Sequence, residues 1–172
     1  RDFEVVVVDG ARMYGNQLML PLGPMREPLS RLTSVDAVVV NGSESGKANE
    51  FSMRLGGDLF YSLTSPEKTV QADYFYNKKV HALAGIGNPS RFFSYLRRLG
   101  LDVVEHRFPD HYQFQASDLQ MPGADIILMT EKDAVKCLHF ARDNVWVLPV
   151  EAQVSNGLED KVIEKIESFY GR

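Results

Sequence analysis

The sequence predicts an α/β protein with a mostly parallel sheet covered by helices, and three observations point there. Residues 5–8, 36–41, 125–129 and 145–150 are continuous β-branched or aliphatic runs, the pattern of strands buried on both faces. From Val80 onward, strand-like and helix-like segments alternate in the order β-α-β-α-β-α-β-α, which favours parallel strands joined by helical crossovers. Between these regions, residues 51–63 alternate apolar and polar side chains about Gly56-Gly57, the signature of a β-hairpin.

The first run, residues 5–8, ends in Asp9-Gly10-Ala11-Arg12. Ligands of open α/β sheets bind at the carboxyl ends of strands, so Asp9 and Arg12 are candidate ligand-binding residues. An aspartate there can hold magnesium through water, or it can simply cap the turn. Residues 20–28 (Leu-Pro-Leu-Gly-Pro-Met-Arg-Glu-Pro) contain three prolines and a glycine, which fix a stiff, irregular path. Arg26 and Glu27 ride on that frame. Arginine forks onto phosphate or carboxylate, so this loop suits a phosphate site; the plainer alternative is a local surface ion pair.

A second buried run at 36–41 leads into a Gly/Ser loop at 42–47 and then into the hairpin. Residues 71–79 are polar and aromatic and lead into the next sheet. These shifts divide the chain into a first lobe at 1–42, a hairpin-containing linker at 43–79 and a second α/β lobe at 80–172.

In that second lobe, residues 80–86 and 103–108 are weaker strand candidates. Asn88-Pro89 places an N-cap before proline at the first helical position. Phe92, Phe93, Leu96 and Leu99 recur at helical spacing, and Gly100 stops the helix. Gly85-Ile86-Gly87-Asn88 is a weak anion-site signal: it lacks the third glycine of a dinucleotide fingerprint and is not a Walker A loop. Phe108-Pro109-Asp110-His111-Tyr112 follows a strand and carries a histidine suited to proton transfer near neutral pH. Adjacent side chains rarely pair, so an acid orienting His111 is expected from elsewhere. His106, Asp110 and His111 could instead bind a metal, although they are few for that purpose. Thr130-Glu131-Lys132-Asp133 resembles a capping box with aspartate for glutamate, and it sets Lys132 against the helix dipole. Cys137 reads as a small buried apolar residue. Leu158, Val162, Ile163, Ile166, Phe169 and Tyr170 mark the apolar face of a last helix, while the helix near Ser117 is short.

Bulk properties narrow the function classes. A hydrophobic share of 44% and a charged share of 24% are globular values and argue against disorder. A net charge of −4 gives no support for nucleic-acid binding through a basic field. One cysteine cannot form an internal disulfide. The first strand begins almost at Arg1, with no initiating methionine, so the chain reads as part of something longer.

Taken in order, six segments resemble one family: residues 7–16 (Val-Val-Asp-Gly-x-Arg-x-x-Gly-Asn), 20–28 (Leu-Pro-x-Gly-Pro-x-Arg-Glu-Pro), 35–42 (Val-Asp-Ala-Val-Val-Val-Asn-Gly), 85–93 (Gly-Ile-Gly-Asn-Pro-x-Arg-Phe-Phe), 108–111 (Phe-Pro-Asp-His) and 129–137 (Met-Thr-Glu-Lys-Asp-Ala-Val-Lys-Cys). They resemble the tetraacyldisaccharide 4′-kinases over about residues 1–152, with a poor match at 43–79. The resemblance implies a P-loop NTPase-like fold with a second α/β lobe joined through a two-stranded β linker. The activity it implies is transfer of the ATP γ-phosphate to the 4′-hydroxyl of a tetraacylated glucosamine disaccharide 1-phosphate, forming lipid IVA. Magnesium would be the cofactor and the cytoplasmic face of the Gram-negative inner membrane the place of action. His111 matches the histidine of an Asp-His dyad that activates the acceptor hydroxyl, and Arg26 and Glu27 match an Arg-Glu pair that organises the site. Asp9, Arg12 and Asn88 lie in matching blocks. The family's Walker A loop, most of its magnesium ligands, the aspartate of the dyad and its membrane anchor are expected upstream of residue 1. The chain alone is therefore expected to be inactive. The alternative from another class is a non-enzymatic binding or regulatory lobe that has lost the nucleotide site.

Overall fold

A computed structural model describes residues 2–44 and 49–170. In chain order the strands are β1 (Val5–Asp9), β2 (Ala37–Asn41), β3 (Glu50–Gly56), β4 (Leu59–Ser62), β5 (Thr69–Gln71), β6 (Val80–Ala84), β7 (Val103–Arg107), β8 (Ile126–Thr130), β9 (Val145–Leu148) and β10 (Glu151–Val154). The α-helices are α1 (Pro89–Arg98), α2 (Glu131–Cys137) and α3 (Leu158–Tyr170). They form two compact units, one of residues 1–56 with 151–172 and the other of residues 57–150.

The unit at 57–150 holds a six-stranded sheet in the order β5-β4-β9-β8-β6-β7. Strands β7, β6, β8 and β9 run parallel, while β4 is antiparallel to β9 and to β5. Alternate residues feed two cores. Ala82, Leu128 and Trp146 pack with Phe93 and Leu96 of α1 on one face. Leu83, Ile127, Met129 and Val147 pack with Ala134 and Cys137 of α2 on the other. Both faces are thus covered, as the continuous apolar runs predict. The short helix expected near Ser117 is a 3-10 turn at Ala116–Leu119.

The unit at 1–56 and 151–172 holds a four-stranded sheet in the order β1-β2-β3-β10. Strands β1, β2 and β3 are parallel, and β10 is antiparallel to β3. Val8, Val35, Val38 and Val40 form its small core, with Val6, Tyr14 and Leu32 against it.

Four expectations need correction. The run at 5–8 is not buried on both faces, because β1 is an edge strand with Val7 62% exposed. Strands do form on both sides of Gly56-Gly57, but they do not make a hairpin: β3 pairs with β2 and β10, whereas β4 pairs with β5 and β9. Alternation with a glycine pair marks a break in a strand without saying whether the chain turns back or continues into another sheet. The expected boundaries near 42 and 79 fall inside the compact units, and α3 belongs with the first unit rather than with the lobe that begins at Val80. Ile163, Ile166 and Phe169 of α3 are about half exposed. Part of the Gly/Ser loop, residues 45–48, lies outside the described residues.

Candidate functional site

Strands β6, β7 and β8 are parallel, so their carboxyl ends share one edge of the six-stranded sheet. Three sequence segments singled out above emerge there.

After β6 the chain turns through Gly85, Ile86 and Gly87 into α1. The Gly85 N–H donates to Asp133 Oδ2 at 3.0 Å. A Cβ at Gly85 would stand 3.3 Å from Asp133 Oδ1 and from the Phe114 ring, so the close approach favours glycine. Asp133 is fully buried, accepts the Thr130 hydroxyl at 2.9 Å and pairs with Lys136 Nζ at 3.0 Å. Thr130 also caps α2, its Oγ1 accepting from the Asp133 N–H. Only half of a capping box forms, because the Asp133 carboxylate is occupied by the β6 turn and by Lys136. Its role is structural: it ties the end of β6 to the start of α2. Asn88 occupies the N-cap position of α1, but its side chain makes no capping bond and is exposed.

After β7, the Tyr112 N–H donates to the Pro109 carbonyl at 3.1 Å and closes a tight turn. His111 sits in that turn at φ +61°, in the left-handed region that L-residues seldom occupy. The His111 N–H donates to Asp110 Oδ1 at 3.0 Å, and the imidazole is 77% exposed. Its Nε2 lies 3.7 Å from Asp110 Oδ2, near enough for charge attraction but too far for a hydrogen bond. Lys132, at the start of α2, donates from Nζ to Asp110 Oδ1 at 3.2 Å. The Lys132 bond, aided by the charge of His111, holds the Asp110 carboxyl below its ordinary acidity range. The sequence offers Asp110 only as a possible metal ligand and Lys132 only as a helix-start residue, and it does not pair the two. The available signal was a lysine placed against the helix dipole, a position that needs a nearby anion.

His106 is not part of this cluster. Its Nε2 lies 3.0 Å from His81 Nδ1, and the two rings stack with centroids 5.0 Å apart. Burial is the main cause lowering both pKa values, with nearby Lys79 also acting on His81. Among the described residues, no three His, Cys, Asp or Glu side chains gather as a metal site would require. The metal reading of His106, Asp110 and His111 is therefore overturned.

The other candidates lie in the first unit. Asp9 Oδ1 accepts the Ala11 N–H at 2.9 Å, and its carbonyl accepts the N–H groups of Arg12 and Met13 at 3.1 and 2.7 Å, so Asp9 organises the turn that ends β1. A Cβ at Gly10 would come within 2.6 Å of Ser43 Oγ and 2.8 Å of the Asn41 carbonyl, so only glycine fits there. Arg12 points into solvent. The proline loop folds on itself: Asn16 Nδ2 donates to the Leu22 carbonyl at 2.9 Å, and the Leu20 N–H donates to the Met25 carbonyl at 2.8 Å. Arg26 and Glu27 leave this frame exposed. Glu27 pairs with Arg31 at 3.2 Å, and Arg31 also bridges Glu4, whose hydrogen bond and charge raise the Arg31 pKa ahead of Glu27.

A model of the tetraacyldisaccharide-1-P 4′-kinase family matches residues 1–167. The tetraacyldisaccharide 4′-kinase of Methylobacillus flagellatus is 45% identical over 166 residues, covering 96% of this chain and 49% of that protein. The Ruthia magnifica enzyme is 46% identical, with 96% and 52% covered. Among solved structures, LpxK from Aquifex aeolicus in complex with ATP matches with a TM-score of 0.72 and 26% identity, covering 98% of this chain and 52% of that one. The chain spans about half the length of the curated relatives it matches.

Proposed function

Because this chain belongs to the tetraacyldisaccharide-1-P 4′-kinase family, we propose that the intact protein moves the γ-phosphate of ATP to the 4′-hydroxyl of a tetraacylated glucosamine disaccharide 1-phosphate. The product is lipid IVA, made at the cytoplasmic face of the bacterial inner membrane. The observation that carries the chemistry is His111: an exposed imidazole on a left-handed turn at the shared carboxyl edge of three parallel strands.

In the proposed reaction, a neutral His111 nitrogen takes the proton of the acceptor hydroxyl as that oxygen bonds to the γ-phosphorus. The bond from phosphorus to the bridging oxygen breaks, ADP leaves, and His111 returns its proton to solvent. The 3.7 Å separation from Asp110 leaves the ring unoriented by that carboxylate, which agrees with an orienting acid supplied by another part of the protein. Arg26 places a guanidinium that can fork onto phosphate oxygens, and Glu27, paired with Arg31, keeps the loop in register. Asp9 and Arg12 at the β1 turn and Asn88 at the start of α1 are proposed to bind the nucleotide.

These residues do not make a complete nucleotide or metal site by themselves. The 172 residues contain no Gly-x-x-x-x-Gly-Lys-Ser/Thr cradle, and the described ones gather no magnesium cluster. Magnesium remains a proposed cofactor of the intact protein. Phosphorylation of the disaccharide lipid by this chain alone would overturn the assignment of the nucleotide site to other segments.

His111→Ala in the intact protein should lower kcat by roughly 10²–10⁴-fold with little change in the KM for ATP. Near-normal turnover at neutral pH would remove His111 from the mechanism.

A further inference from the structure

Helix α2 carries two lysines four residues apart, and the fold treats them differently. Lys136 is mostly buried, and its Nζ lies 3.0 Å from the fully buried carboxylate of Asp133. That carboxylate also accepts the Gly85 N–H and the Thr130 hydroxyl, so Lys136 neutralises an interior charge. Lys132 faces the rim. Its side chain is half exposed, and its partner Asp110 is 45% exposed. A lysine in the first turn opposes the helix dipole, so this position favours an anion over a cation unless another negative group is close. Glu131 and Asp133 stand in the same turn, and the carboxylate that Lys132 binds is Asp110. It leaves other ammonium hydrogens of Lys132 open to solvent beside the turn that holds His111.

From this contrast we infer that Lys132 is a phosphate-contacting residue of the kinase site and that Asp110 is its positioning residue. The inference rests on the phosphoryl-transfer reading and adds to it a residue from the second unit. An Nζ 3.2 Å from Asp110 Oδ1, with that same carboxylate 3.7 Å from His111 Nε2, puts a cation one side chain away from the group that takes the acceptor proton. The reacting centre at that moment consists of an alkoxide-like oxygen and a phosphoryl group, both negative. A compact ammonium next to them stabilises that charge without taking part in the proton transfer. Asp110 aims the ammonium and at the same time keeps it from folding back along α2. Lys132 itself accepts no proton in this scheme, and Asp110 touches no reacting atom.

The phosphate could belong to the nucleotide or to the acceptor lipid, and steady-state kinetics on the intact protein separate the two. Lys132→Met should cost roughly 10- to 100-fold in kcat/KM, the usual worth of a hydrogen bond to a charged group. Lys132→Arg should recover part of that loss, because it restores the charge with a different geometry. If the KM for ATP rises alone, the contact is to the nucleotide; if the KM for the disaccharide phosphate rises alone, it is to the acceptor; if kcat falls alone, it is to the group in transit. Asp110→Asn should give a smaller loss of the same kind. A Lys132→Met protein within threefold of wild type on every parameter overturns the inference. So does one whose melting temperature drops by more than about 5 °C, since the lysine would then be structural. A wild-type protein without disaccharide kinase activity would sink the kinase reading instead. In that case the anion contact is decided separately by titrating inorganic phosphate against the His111 ring signals in NMR. Saturable shifts lost in Lys132→Met support the contact, and unchanged spectra overturn it.

Discussion

The six-stranded unit covers both faces of its central strands with its own side chains, although Leu59 of β4 and Val104 of β7 are about half exposed, whereas the four-stranded unit leaves Val5 and Val7 of β1 and Ile163, Ile166 and Phe169 of α3 at the surface. The two valine runs of the smaller unit make the point most directly. β1 and β2 pair residue for residue, Val5 with Ala37 through Val8 with Val40, and both read as interior strands. Yet Ala37 to Val40 of β2 are all buried while Val7 is 62% exposed. The side chains are nearly the same, and position in the sheet makes the difference. A central strand has neighbours on both sides, and an edge strand does not.

Four substitutions would break or sharpen this comparison. Phe93, fully buried on the inner face of α1, should show the largest effect: Phe93→Ala is expected to destabilise the six-stranded unit by about 3–5 kcal/mol. Denaturant melts would measure it, and a loss below about 1 kcal/mol would mean that this core is loosely packed. Asp133→Ala removes the partner of the Gly85 N–H, the Thr130 hydroxyl and Lys136 together. A loss of about 3 kcal/mol should follow, with the β6 turn and the start of α2 losing amide protection in hydrogen exchange before the rest of the unit.

The third concerns acid. His81 and His106 have folded pKa values lowered from 6.5, chiefly by burial, so at mildly acid pH the unfolded chain binds more protons than the folded one. Their contribution is fully present above about pH 6.5 and is lost as pH falls through the folded values. Melting temperatures should therefore decline between pH 7.5 and 5, and His81→Phe should flatten that slope. An unchanged slope would mean the pair does not control it. The smallest effect is expected at the exposed edge. Val7→Ala should shift stability by less than about 0.5 kcal/mol, and a loss comparable to that of Phe93→Ala would mean that β1 is covered in solution.

Most of the strands were legible because an apolar run of five residues has few other uses. β2, β6, β7 and β9 all fall inside the runs read from the sequence, and β8 extends one residue past its run, to Thr130. Helix α1 was legible from Asn88-Pro89 and Gly100, which punctuate it at both ends. Partner choice could not be read in this way. Nothing local in residues 51–63 says that β3 and β4 enter different sheets, since that depends on β9 and β10 nearly a hundred residues later. The candidate site divides similarly. His111 stood out by its chemistry and by its place after a strand. Lys132 and Asp110 meet only because β7 and β8 both flank β6, a fact of topology rather than of spacing. The partner of His106 was illegible for the same reason, because His81 sits on the neighbouring strand.

Gly56 and Glu151 are register partners in the antiparallel pair of β3 and β10. The chain thus leaves the smaller unit and re-enters it at the same rung of one ladder, and residues 57–150 are a module spliced into a β-ribbon. The excision point is built in: a two-residue Asn-Gly turn joining Gly56 to Glu151 would close that ribbon without changing its register. The spliced module begins and ends equally close together, a Cβ on Gly57 falling within 2.5 Å of the Pro149 carbonyl. Such a layout lets one unit be exchanged, duplicated or lost while the other keeps its strand order, so the two can change independently over evolutionary time.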